Sequence, residues 1–283
     1  SVQGFSKHVQ QQTLSCEGHA APWVQENATE TGLKTLLFWL LSWSLHSEPP
    51  FPGDSSDRRC DLVVEILRIL YVLRAGSALN DETGRVIVMD LLRLPVDDPR
   101  AAKCQLEGVT LLMDTPEELA DYLLEKEGDK YLLGVLDAQV SEVVQSSSSG
   151  SQVAAALVPV LVVLTKFCVY SEEFCRRVKE FVFPLDCEEA FRSKAQEETE
   201  RAAGQGVGAK NMSPLDAPKG SLRWKLIRLM TWTESHTKRT TSELLWTLCG
   251  GNGNEFVLRT GFGNALPTLG LKGLVDMSPG FYS

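Results

Sequence analysis

Apolar residues recur along this chain at helical spacing, most clearly near its end. Leu222, Leu226, Leu229 and Met230 fall at i, i+4, i+7 and i+8, which is one stripe of a helix. Thr241, Leu244, Leu245, Leu248 and Cys249 repeat the pattern on a second helix, with Ser235 as its N-cap. Only a few residues connect the two, so they are expected to be antiparallel neighbours. Gly250, Gly251 and Gly253 are expected to end the second helix, because glycine takes the left-handed backbone of a C-cap. A helix pair of this kind is the unit that solenoids stack.

The same pattern continues upstream. Residues 1 to about 30 mix Gln, Ser, His and Gly without a period and read as a poorly ordered start. Leu33 to Leu45 reads as a buried helix, and the Pro-rich stretch Glu48 to Asp57 as a loop. Leu62, Val63, Ile66, Leu67, Leu70 and Leu73 have a helical period. Val86 to Leu94 reads as a helix, although its β-branched start leaves a strand open as well. Pro99 opens a helix at a position where proline is tolerated. Pro116, Glu117 and Glu118 are expected to form the acidic first turn of another.

Tyr131 to Val144 is amphipathic, and Ser146 to Ser151 reads as a flexible connector. Val153 to Val169, nearly all apolar, is expected to be buried between neighbours, with Glu172 to Phe183 as its partner. Glu188 to Arg201 reads as a solvated helix and Gly204 to Pro218 as a long loop. No stretch alternates like a strand. The fold class expected is all-α, with helix pairs beginning near Asp61, Ala101, Val153 and Leu222; the first two spacings lie near the range of armadillo or HEAT-like units, and the last holds the loop insert. In domain terms, residues 1–58 hold the start, one helix and a loop. Residues 59–275 hold the repeats, with a flexible insert at about 202–218, and residues 276–283 form a tail.

Composition adds little except in one place. The chain of 283 residues carries a net charge of −9, which disfavours nucleic acid and anionic membrane as partners of the whole. Between Lys219 and Arg259 the balance reverses, with seven basic residues against three acidic ones. That local excess either forms solvated helix faces or meets an acidic partner. The seven cysteines are scattered without a paired spacing, as expected of a reducing compartment. The longest apolar run, Thr35 to Leu45, falls short of the ~20 residues of a membrane span. The chain begins at Ser1 and reads as part of a longer protein.

Catalytic motifs are not found. Gly204, Gly206 and Gly208 lack the preceding strand and the Gly-Lys-Ser/Thr end that cradle phosphate. There is neither a nucleophile elbow nor a His-Glu-x-x-His pair. No catalytic residue, metal ligand or cofactor is therefore expected. The stretch Thr260-Gly261-Phe262-Gly263-Asn264 reads as a tight turn between helices. Phe262 there is either tucked into the core or offered to a partner. Asn264 is expected to cap the next helix, which would place Pro267 in a first turn where its missing N–H costs little.

The order Leu-Arg-x-Lys-Leu-Ile-Arg-Leu-Met-Thr, then Lys-Arg-x-x-x-Glu-Leu-Leu-x-x-Leu-Cys, then Thr-Gly-Phe-Gly-Asn-Ala resembles the synembryn family. The resemblance is strong from Ser221 to Ala265, continues more weakly through Val158 to Thr165, and is not carried by residues before about Cys60. It implies an armadillo-like superhelix and a chaperone and guanine-nucleotide exchange factor for alpha subunits of heterotrimeric G proteins. It also implies a cytoplasmic monomer, brought to the cell cortex by that partner, with no insertion into the membrane. Family members continue into further repeats upstream and an acidic region downstream, so the chain is expected to match a middle portion.

In such a superhelix the second helices of successive units line a concave face. Lys238, Arg239 and Ser242 could then face a groove that holds the C-terminal helix of the alpha subunit. Arg223, Lys225 and Arg228 flank the preceding apolar stripe, where basic side chains could pair with that helix's carboxylates. Phe262 and Asn264 complete the candidate set. The alternative is a helical-repeat scaffold that binds acidic peptides and leaves nucleotide exchange unchanged.

Overall fold

The computed structural model describes residues 32–46, 56–145, 150–184, 219–233 and 235–275. The expected poorly ordered start, the loop after residue 47, the charged helix Glu188–Arg201, the Gly- and Pro-rich insert and the tail lie outside these residues. Every regular element among the described residues is helical, so the all-α expectation is borne out. None of these helices is long and apolar enough to cross a membrane. The chain divides into two compact units, residues 1–135 and 136–283.

The first unit begins with α1 (Leu33–His46) and α2 (Ser56–Val72), followed by a 3₁₀ turn at Ala75–Asn80. Next come α3 (Glu82–Leu92), α4 (Pro99–Leu112) and α5 (Leu119–Glu125). Helices α2 and α4 form the most extensive packing here, burying Val63, Ile66, Leu67 and Leu70 against residues such as Cys104, Val109 and Leu111. The β-branched segment at Val86 is helical, which resolves the open choice between helix and strand. Asp81 starts that helix by accepting from the Gly84 N–H at 2.6 Å. Gly84 is required there, since a Cβ would lie 2.5 Å from the Ala78 carbonyl oxygen and the Leu79 Cα. The buried Gln105 amide donates to the Leu92 and Leu94 carbonyls at 2.7 and 3.1 Å, satisfying acceptors that α3 leaves open at its end.

Two expectations are corrected in this unit. Helix α1 is not buried all round: Leu37, Phe38, Leu41 and Ser44 face inward, while Leu36, Trp39 and Trp43 are exposed. It packs mainly on α2 and more lightly on α3, which covers one stripe and leaves the other open. The acidic pair Glu117 and Glu118 precedes α5 rather than forming its first turn. The amides of Leu119, Ala120 and Asp121 donate three residues back, to Pro116, Glu117 and Glu118, a tighter turn than the α-helix.

Helix α6 (Gly128–Gln145) contains the boundary between the units. Within the second unit follow α7 (Gly150–Tyr170) and α8 (Glu172–Val182). Then come α9 (Leu222–Leu229), α10 (Ser235–Leu248), α11 (Gly253–Thr260) and α12 (Phe262–Leu271). Helix α7 is the centre of this unit: Leu157, Val160, Leu161, Val163, Leu164 and Phe167 are all 0 % exposed. Ser171 alone separates α7 from α8 and accepts from the Phe174 N–H at 3.3 Å. Phe167 and Phe174 meet edge to face across that corner, with centroids 5.5 Å apart.

The expected partnership of α9 and α10 is only part of the packing. Helix α10 packs most extensively on α7, because its buried face of Thr237, Thr241, Leu244, Leu245 and Leu248 needs a long apolar surface. The eight residues of α9 offer little of one. Gly250 and Gly251 end α10 with φ of 62° and 68°, as expected. Gly253 instead opens α11, whose N-cap is Asn252, accepting from Asn254 and Glu255 at 2.9 and 3.1 Å.

Candidate functional site

The eight residues singled out from sequence as candidate partner contacts lie in the second unit, on α9, α10 and α12. Ser221 fixes the start of α9 by accepting from the Trp224 N–H at 3.2 Å. From there the three basic side chains of α9 have separate fates. Arg223 is 6 % exposed and points inward. Its Nε and Nη2 donate to the Arg259 carbonyl at 3.3 and 2.8 Å, and its guanidinium lies 5.5 Å from the centre of the Phe183 ring.

Arg259, on α11, lies over the same ring at 4.4 Å. Its Nε donates to Glu255 at 2.6 Å, one helical turn back. Burial lowers its affinity for a proton, the direction expected for a cation taken out of water. Two buried guanidinium groups thus share one buried aromatic ring, with Glu255 bonded to one of them. This is an internal joint between α9 and α11. Arg223 is therefore engaged inside the unit rather than presented at its surface.

Lys225 is also mostly covered. Its Nζ donates to Asp137 Oδ1 at 2.9 Å and to Ser141 Oγ at 2.8 Å, joining α9 to α6. Arg228 is exposed and stacks over the Trp224 ring at 4.7 Å, which holds its charge at the surface in one orientation.

Helix α10 brings Lys238 and Ser242 together, one turn apart. Ser242 is 8 % exposed and its hydroxyl donates to the Lys238 carbonyl at 2.9 Å, so it braces the helix. Lys238 is half-buried and Arg239 exposed, and neither pairs with an acid among the described residues. They are the part of the basic set, with Arg228, whose charge is not consumed internally.

The turn residues differ from expectation. Phe262 is 59 % exposed, so the core position is excluded. Gly261, at φ 85°, is the residue outside the helix, and α12 starts at Phe262 itself. Asn264 is therefore not the N-cap; its Nδ2 donates back to the Thr260 carbonyl at 2.8 Å. It bridges the corner between α11 and α12. Pro267 consequently lies beyond the first turn, inside α12.

Several participants have no signature in the sequence. Asp137 and Ser141 stand 88 and 84 residues from Lys225, and Phe183 stands far from the arginines it supports. Leu258, Leu271 and Leu274 are exposed apolar residues of the same segment as Phe262. A helical period alone assigns such residues to the core.

Residues 210–279 match the family model described as guanine nucleotide exchange factor synembryn. The chain is 26% identical to Chaperone Ric-8A of Xenopus laevis over 253 residues, which is 81% of this chain and 41% of that protein. It is likewise 26% identical over 250 residues to Chaperone Ric-8A of Gallus gallus, 80% of this chain and 40% of the relative. Against Chaperone Ric-8A of Mus musculus it is 43% identical over 54 residues, 19% of this chain and 10% of the relative. The chain thus spans about two fifths of the length of the relatives it matches most broadly. The resemblance read from Ser221 to Ala265 is borne out: the segment that holds α9 to α12 is the one that matches the synembryn family model.

Proposed function

We propose that this chain is part of a chaperone and guanine-nucleotide exchange factor for alpha subunits of heterotrimeric G proteins. The observation that carries the reading is the match of residues 210–279 to the synembryn family model, the segment in which the basic excess also lies. Arg228, Lys238, Arg239 and Phe262 are the residues proposed to touch the partner, because their side chains reach solvent. Asn264 would set the corner that carries Phe262. Arg223, Lys225 and Ser242 would act from beneath, holding α9 and α10 in position.

No group here needs to attack the nucleotide. A protein that binds the nucleotide-free or partly folded alpha subunit more tightly than the GDP-bound one shifts the equilibrium between them. By linkage, GDP then binds the complex more weakly by the same factor. Holding the C-terminal helix of the alpha subunit, through charge-assisted hydrogen bonds to its carboxylates, is one way to favour the open state.

The test is fluorescence anisotropy of a labelled peptide that carries the C-terminal helix of the alpha subunit, titrated with the chain and with its Lys238→Glu/Arg239→Glu variant. Saturable binding that the charge reversal abolishes is expected. Equal affinity of the chain for GDP-loaded and nucleotide-free alpha subunits would overturn the reading. A second reading, a helical scaffold for acidic peptides, is favoured by the half-buried Lys238 and exposed Arg239 alone. It predicts peptide binding with GDP release from the intact alpha subunit unchanged.

A further inference from the structure

Residues of α7, α8, α10 and α11 line an open cleft of about 500 Å³. Three sulfurs stand on its wall: Cys168 near the end of α7, Cys175 in α8 and Cys249 just after α10. All three are free thiols. Cys168 and Cys249 are buried, at 5 % and 4 % exposed, whereas Cys175 is only partly covered. The Cys175 N–H donates to the Ser171 carbonyl at 2.9 Å, which places its thiol one turn into α8. The positive end of a helix dipole favours a thiolate there.

Cys168 and Cys175 flank the α7–α8 corner next to the Phe167–Phe174 ring contact, and their environments drive their proton affinities apart. The hydrogen bond from Cys168 brings the Cys175 thiol down to about 7; Lys179 helps, while burial and Glu172 oppose. Cys168 is pushed the opposite way by the same bond and by burial. Burial pushes Cys249 up to about 12, leaving it unreactive. The titratable groups that line the cleft with Cys175 are Glu172, Arg176 and Lys179 from its own helix, Cys168 from α7, Cys249 after α10 and Glu255 from α11; Arg176 is held by Glu173 and Glu180. Lys179 and Glu255 approach within 3.7 Å of each other, which tempers the positive charge.

We propose that Cys175 is a site of modification by hydroperoxides, with Cys168 as its resolving thiol. The Cys175 thiolate attacks one peroxide oxygen. An S–O bond forms, the O–O bond breaks, and the second oxygen leaves as hydroxide or alkoxide and takes up a proton. Cys168 then attacks the sulfenic sulfur. The S–S bond forms, the S–O bond breaks, and the departing hydroxyl leaves as water with the Cys168 proton. Two thiols are oxidised and one hydroperoxide is reduced to water and an alcohol, or to two waters. Cys175 supplies the nucleophile because it combines thiolate character with access from the cleft. Cys168 lines the same cleft from α7, across the one-residue corner at Ser171.

The test is treatment of the full chain with hydrogen peroxide, followed by intact mass and non-reducing peptide mapping. One disulfide joining Cys168 to Cys175 is expected, reversed by dithiothreitol. Cys175→Ser should abolish it. Cys168→Ser, with helicity checked by circular dichroism, should leave a sulfenic acid on Cys175 that dimedone traps. A measurement free of variants is competitive alkylation of the native chain, in which Cys175 should react at least ~10-fold faster than Cys249. Cys175 alkylated no faster than Cys249, a disulfide elsewhere, or both thiols surviving peroxide would each overturn the proposal.

Discussion

Arg223 donates from both Nε and Nη2 to the main-chain carbonyl of Arg259, 36 residues later, and both guanidinium groups lie over the ring of Phe183. This joint fixes α9 against α11 within the segment that matches the family model. Arg223→Ala removes a charged donor from a buried carbonyl and leaves a void beside Phe183. A loss of ~2–4 kcal/mol is expected, read as a lower urea midpoint. Arg223→Lys should recover little, because an ammonium cannot both stack and reach the carbonyl with two donors.

Lys225 and Asp137 form a half-exposed pair, the side chains 15 % and 47 % exposed. The expected contribution is therefore below ~1 kcal/mol. A double-mutant cycle with Lys225→Met and Asp137→Ala should show a coupling of that size, decreasing with salt. A coupling several times larger would mean that the pair is shielded from solvent far more than its exposure implies.

Phe262 separates two architectures of the turn. Because it is exposed, Phe262→Ser should move global stability by less than ~0.5 kcal/mol. A core phenylalanine would cost ~3–5 kcal/mol when truncated. Thermal unfolding distinguishes these at once. Binding of the alpha-subunit peptide to the same variant then tests its proposed contact role.

Gly84→Ala tests the first unit alone. The added methyl would meet backbone atoms of Ala78 and Leu79, which cannot rotate away. A loss of ~1–3 kcal/mol is expected, with hydrogen exchange accelerating in α3.

Glu173 provides a pH prediction. Hydrogen bonds from Arg176 first, and then Arg177, hold its carboxyl down at about 2. A carboxylate depressed on folding stabilises above its unfolded value, and that contribution fades as pH falls toward 2. Carboxyl NMR titration should find Glu173 protonating well below the ordinary glutamate range. The side chain is open to solvent, so salt should shrink the difference.

The helices themselves were legible because their information is local. The stripe Leu222, Leu226, Leu229 and Met230 and the glycines at 250 and 251 act within one or two turns. Their energetics do not depend on what lies across the fold. The family resemblance was legible for the same reason, being carried by a contiguous segment. Tertiary structure decided what a helical period leaves open, namely which charged or apolar side chain faces which neighbour. Periodicity could not tell that Arg223 turns inward to a carbonyl and Phe183 while Arg228 stays in solvent, because both flank the same stripe. It could not tell that α10 would bury its face on α7, since that choice depends on the length of each available surface. Nor could it separate Cys175 from Cys168: the difference arises only where the two thiols flank the α7–α8 corner and one is left open to the cleft.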